Sequence, residues 1–182
     1  FTYESVFRYL RSGYCEFTED EIDRLENYCL ALGIKGYKKW QQAWARKTKE
    51  ADEEEVEKLN HLRVKFVEKI DPLMFVSRQK KKTVLDITLA VYEFIAGEHL
   101  QEKLEQQQKF FAEQGELTLA KEYEQIYRIV MELFDKFSEL LGDEPITLKE
   151  YCELLDAGFE EAKVGVIPPS IDQVVIGDVE RT

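Results

Sequence analysis

The chain has 182 residues, of which 44% are hydrophobic and 12% aromatic, and it carries a net charge of −12 at neutral pH. This apolar content suffices for one packed domain and argues against intrinsic disorder, although 34% of the residues are charged. The negative charge argues against a dedicated DNA clamp but leaves room for a local basic patch, and no apolar run approaches the roughly 18 residues of a membrane span.

Most of the chain is predicted to be helical, because apolar residues recur three and four positions apart along it. Thr18, Asp52, Thr83 and Thr147 are each followed three residues later by an acidic residue, a capping-box pattern that marks four helix starts. We expect the longest helix to be the core helix, since its apolar stripe covers about six turns. The predicted helices cover about residues 3–12, 18–33, 37–46, 52–70, 83–96, 98–114, 118–141 and 147–163.

The fourth predicted helix is expected to break or kink at Asp71-Pro72. Pro72 has no N–H to donate to the carbonyl of residue 68, and its ring crowds the preceding turn. Asp71 as the cap and Pro72 as the first helical residue would start a new turn that runs through Val76. The helix over residues 98–114 is mostly polar, so we expect it to lie at the periphery.

The end of the chain is the only part that is predicted to be extended. Pro168-Pro169 favours an extended lead-in, and the run Gln173–Ile176 before a Gly-Asp turn predicts one strand. A lone strand cannot satisfy its own backbone groups, so we expect its sheet to lie outside this chain, and the first residue, Phe1, also suggests a segment of a larger protein. The predicted organisation is an all-α, multi-helix domain over residues 1–165 and an extended tail over residues 166–182.

No catalytic, cofactor-binding or metal-binding set of residues is predicted. The sequence lacks the GxxxxGK[S/T] phosphate loop and the GxSxG nucleophile motif. His61 and His99 have no second His or Cys three or four residues away. Cys15, Cys29 and Cys152 are odd in number and lack zinc-site spacing, which favours a reducing cytoplasm. A free-standing helical enzyme is therefore the least supported function.

Residues 34–49, called the basic segment below, combine six basic residues with no acidic residue. Because the whole chain carries −12, the rest of it carries −18 without these six cations. Tyr37, Trp40 and Trp44 are interleaved with them, and cations beside aromatic rings suit a nucleic-acid contact. In the alternative interpretation the tryptophans anchor the core and the lysines form a solvated face. The residues predicted as possible DNA contacts are Lys35, Lys38, Lys39, Trp40, Arg46, Lys47 and Lys49.

An ordered series of short motifs resembles one protein family. The motifs are Glu4–Leu10, Leu25–Tyr28, Gly33–Gly36 followed by Trp40, Leu59–Arg63, Pro168-Pro169 and Asp172–Arg181. This series resembles the B subunit of the AddAB (RexAB) helicase–exonuclease, a bacterial complex that resects DNA double-strand breaks for recombinational repair. No single motif is diagnostic, but the ordered set is specific and spans nearly the whole chain.

The resemblance implies a helical accessory subdomain, similar to the 2B subdomain of helicases, whose closing strand returns to a RecA-like domain that is absent from this chain. It also implies a non-catalytic scaffold that contacts duplex DNA in the bacterial cytoplasm, away from membranes. The implied partners are the A subunit, a helicase–nuclease, and double-stranded DNA ends. The family's magnesium-dependent nuclease, iron–sulfur cluster and ATP-driven partner would lie elsewhere, so no cofactor is expected in this segment. The alternative is an acidic helical docking module that holds a partner subunit.

Overall fold

The computed structural model describes the backbone of residues 1–165 and the side chains of residues 1–162. Within that range the chain forms eight α-helices and no β-strand, so the predicted all-α class is confirmed. The helices are α1 (Tyr3–Leu10), α2 (Glu19–Leu32), α3 (Tyr37–Gln41), α4 (Glu53–Arg78), α5 (Val84–Gly97), α6 (Leu100–Glu113), α7 (Leu117–Leu141) and α8 (Leu148–Gly165).

Side-chain caps begin four of these helices at the positions that the capping-box pattern predicts. The hydroxyls of Thr18 and Thr83 each accept a hydrogen bond from the backbone N–H three residues on, and the acid at that position accepts from the threonine N–H. Asp52 accepts from the N–H three residues on at 3.0 Å, and Thr147 exchanges the same two bonds with Glu150. Each cap satisfies backbone donors that a helix start leaves free.

The first core, as we call the larger apolar cluster, lies among α1, α2, α3 and the first half of α4. At its aromatic centre the ring centroid of Trp40 lies 4.9 Å from that of Phe66 and 5.2 Å from that of Trp44. Fully burying an aliphatic or phenyl side chain contributes about 1.5–3 kcal/mol, so this cluster dominates the folding of the N-terminal region. Its buried residues are Val6, Phe7, Leu10, Ile22, Leu25, Tyr28, Cys29, Ile34, Trp40, Trp44, Ala51, Val56, Leu59, Leu62 and Phe66.

The second core is a smaller cluster where α5, α7 and α8 meet. α8 approaches α7 closely at Gly158, where an added Cβ would lie 2.6 Å from a methyl carbon of Leu133. The end of α4 also reaches this cluster, since the partly buried Val76 packs against it. The two cores are therefore joined by one long helix. The buried residues of the second core are Val84, Ile87, Leu133, Phe137 and Tyr151.

The prediction that α7 is the core helix is wrong for its first half. Leu119 and Ile126 belong to the predicted stripe, yet their exposed fractions are 36% and 37%. This half of α7 packs on α6, where the rings of Phe111 and Tyr123 stack with centroids 5.2 Å apart. Because α6 covers only the side of α7 that it contacts, part of the apolar stripe of α7 stays exposed to solvent.

Of the predicted break or kink at Pro72, the break does not occur, because α4 runs through Pro72 to Arg78. The kink stays a prediction. A proline inside a helix costs about 3 kcal/mol and leaves one carbonyl without its N–H partner, here the carbonyl of Glu68. Both Pro72 and Glu68 lie partly or fully in solvent, so water can hydrate that carbonyl. The packing of α4 against the first core on one side of Pro72 and the second core on the other offsets the cost.

The third predicted helix ends sooner than expected. α3 stops at Gln41 rather than near Arg46, and Gln42 is already extended, with φ −89° and ψ 143°. The predicted strand Gln173–Ile176 and the whole tail, 166–182, lie outside the described residues, so the division of the chain after residue 165 stays a prediction. Within the described range no helix is long and apolar enough to cross a bilayer.

Candidate nucleic-acid interface

The basic segment begins in a tight turn between α2 and α3. Gly33 and Gly36 have φ values of 60° and 79°, in the left-handed region that residues with a Cβ rarely adopt. Gly33 ends α2 as a left-handed cap. Between the glycines, Ile34 is buried and donates its N–H to the carbonyl of Cys29 at 2.9 Å. One apolar side chain thus anchors the turn that leads into α3.

The two tryptophans of the basic segment are core residues. Trp40 and Trp44 expose 2% and 8% of their surface, and the indole N–H of Trp44 donates to the carbonyl of Lys39 at 3.0 Å. Neither ring offers a free face on which a base could stack. This corrects the expectation for Trp40, whose ring holds the segment in place from inside the first core.

After α3 the chain forms an extended strap, residues 42–48, that is fixed to α4 by the side chain of Asn60. The Asn60 amide accepts from the N–H of Trp44 at 2.9 Å and donates to the carbonyl of the same residue at 2.7 Å. It therefore satisfies both backbone groups of Trp44, as a neighbouring β-strand would. Farther along, the hydroxyl of Tyr28 donates to the carbonyl of Arg46 at 2.6 Å.

A buried arginine lies directly beneath the strap. Arg63 is 7% exposed, and its guanidinium donates to the carbonyl of Trp40 at 2.6 Å and to Asn60 Oδ1 at 3.0 Å. The guanidinium also lies 5.9 Å from the ring centroid of Trp44. Burial lowers the pKa of Arg63, but an arginine stays charged in proteins. No carboxylate of the described chain pairs with it, so its charge adds to the positive potential of the strap.

The cations of the basic segment lie at the surface. Lys39 donates to the carbonyl of Gly33 at 3.0 Å, and Lys47 pairs with Glu53 at 2.8 Å. An exposed pair of this kind contributes only about 0–1 kcal/mol, so a phosphate can compete for Lys47. The remaining four are exposed and have no ion-pair partner within residues 1–162: Lys35, Lys38, Arg46 and Lys49.

Similarity to known proteins now decides the family. No protein-family model matches the chain. The chain is, however, similar to bacterial proteins that are named as the B subunit of an ATP-dependent helicase/deoxyribonuclease. It is 45% identical to that of Lachnoclostridium phytofermentans over 100% of its length, 41% identical to that of Clostridium novyi over 99%, and 40% identical to that of Clostridium botulinum (strain Langeland) over 99%. The chain belongs to this B-subunit family.

The chain spans 16%, 15% and 16% of the lengths of these three relatives. The family resemblance of the ordered motifs is thereby confirmed. Two of those motifs gain a physical meaning, because Gly33–Gly36 forms the turn into α3 and Leu59–Arg63 contains both residues that hold the strap. In this chain the two motifs therefore support the basic segment.

Sequence reasoning did not identify Asn60 and Arg63 as residues that position the basic segment. Their spacing of three puts them on one face of α4, next to the buried Leu59 and Leu62. Polar residues on a buried helical face need partners, and that was the available signal. Which backbone groups they bind could not be read from spacing, because those groups, on Trp44 and Trp40, lie 16 and 23 residues away.

Proposed function

We propose that the chain is a non-catalytic helical part of the B subunit of an ATP-dependent helicase–exonuclease, where it supports the helicase-like module and contacts duplex DNA through the basic segment. In this proposal the complex resects DNA double-strand breaks for recombinational repair in the bacterial cytoplasm, together with an ATP-driven A subunit. The magnesium-dependent nuclease and the iron–sulfur cluster belong to other parts of the complex. The names of the relatives support the complex, and the construction of the basic segment supports the contact.

The observation that carries the DNA contact is a backbone that is anchored by buried side chains and presents cations at the surface. Trp40 and Trp44 anchor the basic segment in the first core, and Asn60 fixes the strap to α4. Lysines on such a backbone lose less conformational freedom on binding than lysines on a flexible loop would. The chain has 37 Asp and Glu residues, yet Lys35, Lys38, Arg46 and Lys49 have no ion-pair partner among residues 1–162, which leaves these four available for phosphates.

The contact is expected to be weak and sensitive to salt. Each phosphate that is neutralised releases counterions, so the logarithm of the binding constant falls with the logarithm of salt concentration by about 0.9 per contact. The −18 on the rest of the chain repels DNA over a Debye length of about 10 Å at 0.1 M salt. We therefore expect measurable binding only at low ionic strength, and sequence-independent binding, since phosphates carry no base information.

The test reverses the charge of two exposed lysines of the basic segment. Lys35 and Lys38 make no hydrogen bond or ion pair among the described residues, so K35E/K38E alters charge without removing a structural contact. The matched control is K109E/K121E, which makes the same charge change on exposed lysines of α6 and α7. Binding of the full chain to a fluorescent duplex is measured by anisotropy across a salt series.

We expect K35E/K38E to weaken binding about tenfold more than K109E/K121E at low salt. The slope of log K against log salt concentration should become less steep by up to about 2, as expected for two lost phosphate contacts. Equal losses in both variants would mean that only net charge matters, and the DNA contact through the basic segment would be refuted. Circular dichroism and urea unfolding of both variants check that the fold is retained.

A second candidate function, docking of a partner subunit, is favoured by the outer end of the α6–α7 hairpin. Phe110 and Leu117 expose 53% and 63% of their surface there. Glu113 and Glu116 lie between them in the sequence. Apolar side chains edged by acids suit a protein surface with an apolar centre and a basic rim, and they repel DNA.

The docking function is tested with F110S/L117S in the complex with its A subunit. We expect this variant to dissociate faster from the A subunit, because exposed apolar anchors act mainly on the dissociation rate. L30S is the matched control, since Leu30 lies on α2 and is similarly exposed at 59%. Unchanged dissociation of F110S/L117S relative to L30S would remove the α6–α7 end as the docking site.

A further inference from the structure

A second basic run follows the end of α4 and was not part of the sequence-based site. Four of the five residues 78–82 are basic, and no acidic residue occurs between Asp71 and Asp86. We call residues 78–82 the basic loop. Its lysines 80 and 81 have no ion-pair partner among the described residues. By contrast, the paired cations of the chain include Arg11, Arg24 and Lys69.

The structure brings the start of the basic loop onto the start of α3. The guanidinium carbon of Arg78 lies 4.3 Å from the ring centroid of Tyr37, a cation–π contact. Tyr37 is the first residue of α3 and is 4% exposed, so Arg78 rests on a fixed ring. Lys38 follows directly in the chain. The basic loop and the basic segment are about 40 positions apart in sequence, and the contact between Arg78 and Tyr37 brings them together.

The other end of the basic loop is also fixed. The carbonyl of Lys82 accepts from the N–H of Ile146 at 3.1 Å, and the N–H of Val84 donates to the carbonyl of Glu144 at 3.0 Å. The ammonium of Lys82 donates back to the carbonyl of Gln79 at 2.9 Å. The loop is therefore held between α3 and the turn before α8, and its backbone is as well supported as the strap.

Acidic residues lie beside both ends of the basic loop. Glu68 and Asp71 line the groove between α3 and α4 together with Tyr37 and Arg78, and Glu144 lies beside the far end of the loop. None of these three carboxylates forms an ion pair with a cation of the loop in the described part of the chain. Glu68 and Asp71 therefore lie beside the contact of Arg78 with Tyr37, and their negative charges lower the positive potential at that point.

We propose that the basic loop and the basic segment form one continuous surface that binds the phosphate backbone of duplex DNA, with the Arg78–Tyr37 contact as the joint between them. This inference rests on the proposed DNA contact and adds Arg78, Lys80 and Lys81 to it. The cations of the basic loop and of the basic segment can contact phosphates on both edges of one DNA groove, or they can contact a longer stretch of one DNA strand. One duplex per chain is expected.

The test adds K80E/K81E to the variants described above. K80E/K81E, K35E/K38E and the control K109E/K121E all make the same change in charge on lysines at the surface. Duplex binding of the full chain is measured across the same salt series, and the number of duplexes per chain is measured at saturation. We expect K80E/K81E to weaken binding about tenfold more than the control. The slope of log K against log salt concentration should become less steep by up to about 2.

The outcomes separate this inference from the proposed function. If K35E/K38E weakens binding beyond the control but K80E/K81E does not, the basic loop is not part of the surface and only this inference fails. If neither pair differs from the control, both fail. Two duplexes per chain would mean two separate sites and would overturn the continuous surface. Retained helicity and unfolding midpoint in K80E/K81E confirm that a loss of binding is not a loss of fold.

Discussion

The N-terminal region, residues 1–70, and the C-terminal region, residues 84–162, are both helical but are held together differently. In the first, four helices close around an aromatic cluster, and ion pairs such as Arg24–Glu55 at 2.6 Å connect neighbouring helices. In the second, only five buried residues form the cluster, and large apolar side chains such as Leu140 (77% exposed) remain at the surface. Two large apolar side chains, Leu30 and Val64, are exposed in the first region, whereas nine are exposed in the second.

The difference fits the two proposed functions, a DNA contact in the first region and the docking of a partner subunit in the second. A well-packed core can hold an extended strap in one conformation, which is what a row of phosphate contacts requires. A thin core with an exposed hairpin suits a contact with another protein, whose surface completes the burial. α4 begins in the first region and contacts the second, where the buried Glu98 pairs with Lys69 of α4 at 2.8 Å. α4 thus connects the region of the proposed DNA contact to the region of the proposed docking surface.

The comparison is tested most strongly by truncating one phenylalanine in each region. Phe66 is 1% exposed and lies against the rings of Trp40 and Tyr9, so F66A should lower the free energy of unfolding by about 3–5 kcal/mol. Phe110 is 53% exposed, so F110A should change it by less than about 0.5 kcal/mol. Urea unfolding followed by circular dichroism measures both. Similar losses in the two variants would show that the regions do not differ as described.

The next largest effect on stability is expected at Asn60, whose side chain fixes the strap to α4. N60A removes both bonds to Trp44 and should lower the free energy of unfolding by about 2 kcal/mol, since buried polar groups are left unpaired. N27A is the matched control, because Asn27 is also helical but exposed. Its change in stability measures the effect of helix propensity alone and is subtracted from that of N60A. Limited proteolysis should cut the strap of N60A faster. Equal stability and equal cutting in N60A and N27A would refute the role of Asn60.

Local features of the fold could be predicted from the sequence, and long-range ones could not. The caps at Thr18 and Thr83 depend on residues three positions apart, so their pattern sufficed. The apolar stripe of α7 indicates an amphipathic helix but not how much of its length has a partner. The outcome at Pro72 depended on packing at both ends of α4, which no local rule contains.

The candidate site shows the same limit. Charge composition alone located the cations of the basic segment, because six basic residues without an acid stand out in an acidic chain. It left open whether Trp40 and Trp44 face solvent, and burial places both rings in the first core. The contact between Arg78 and Tyr37 joins residues that are about 40 positions apart, and neither spacing nor composition could indicate it.

A smaller effect is expected at the close approach of α8 to α7. G158A would place a Cβ 2.6 Å from Leu133 Cδ1 and 3.2 Å from Phe137 Cζ. Overpacking costs about 1–3 kcal/mol, and the gain in helix propensity returns up to about 1 kcal/mol, so we expect a net loss near 1 kcal/mol. G97A is the control, because nothing lies within 4 Å of its Cβ, and it should be neutral or stabilising. Thermal unfolding compares the two, and a stabilised G158A would refute the close packing.

The smallest effect is a difference in pH dependence between the regions. Glu26 is partly buried, which raises its pKa, but hydrogen bonds from Tyr3, at 2.5 Å, and from Arg11 outweigh burial and leave the pKa lowered. A carboxylate whose pKa is lower in the folded than in the unfolded chain stabilises the fold above its unfolded value, about 4.3. That contribution is lost as the pH falls through the lower folded value.

E26Q should therefore be less stable than the wild type at pH 7, and the gap should shrink as the pH falls below about 4.3. E122Q is the control in the C-terminal region, because Glu122 on α7 is exposed and has no ion-pair partner in the described chain. It makes the same substitution at an exposed position, and the effect of E26Q is measured relative to it. Urea midpoints from pH 7 to pH 3 measure both variants. If the gap between E26Q and the wild type stayed constant over that range, the charge of Glu26 would not be what joins α1 to α2, and packing alone would hold them.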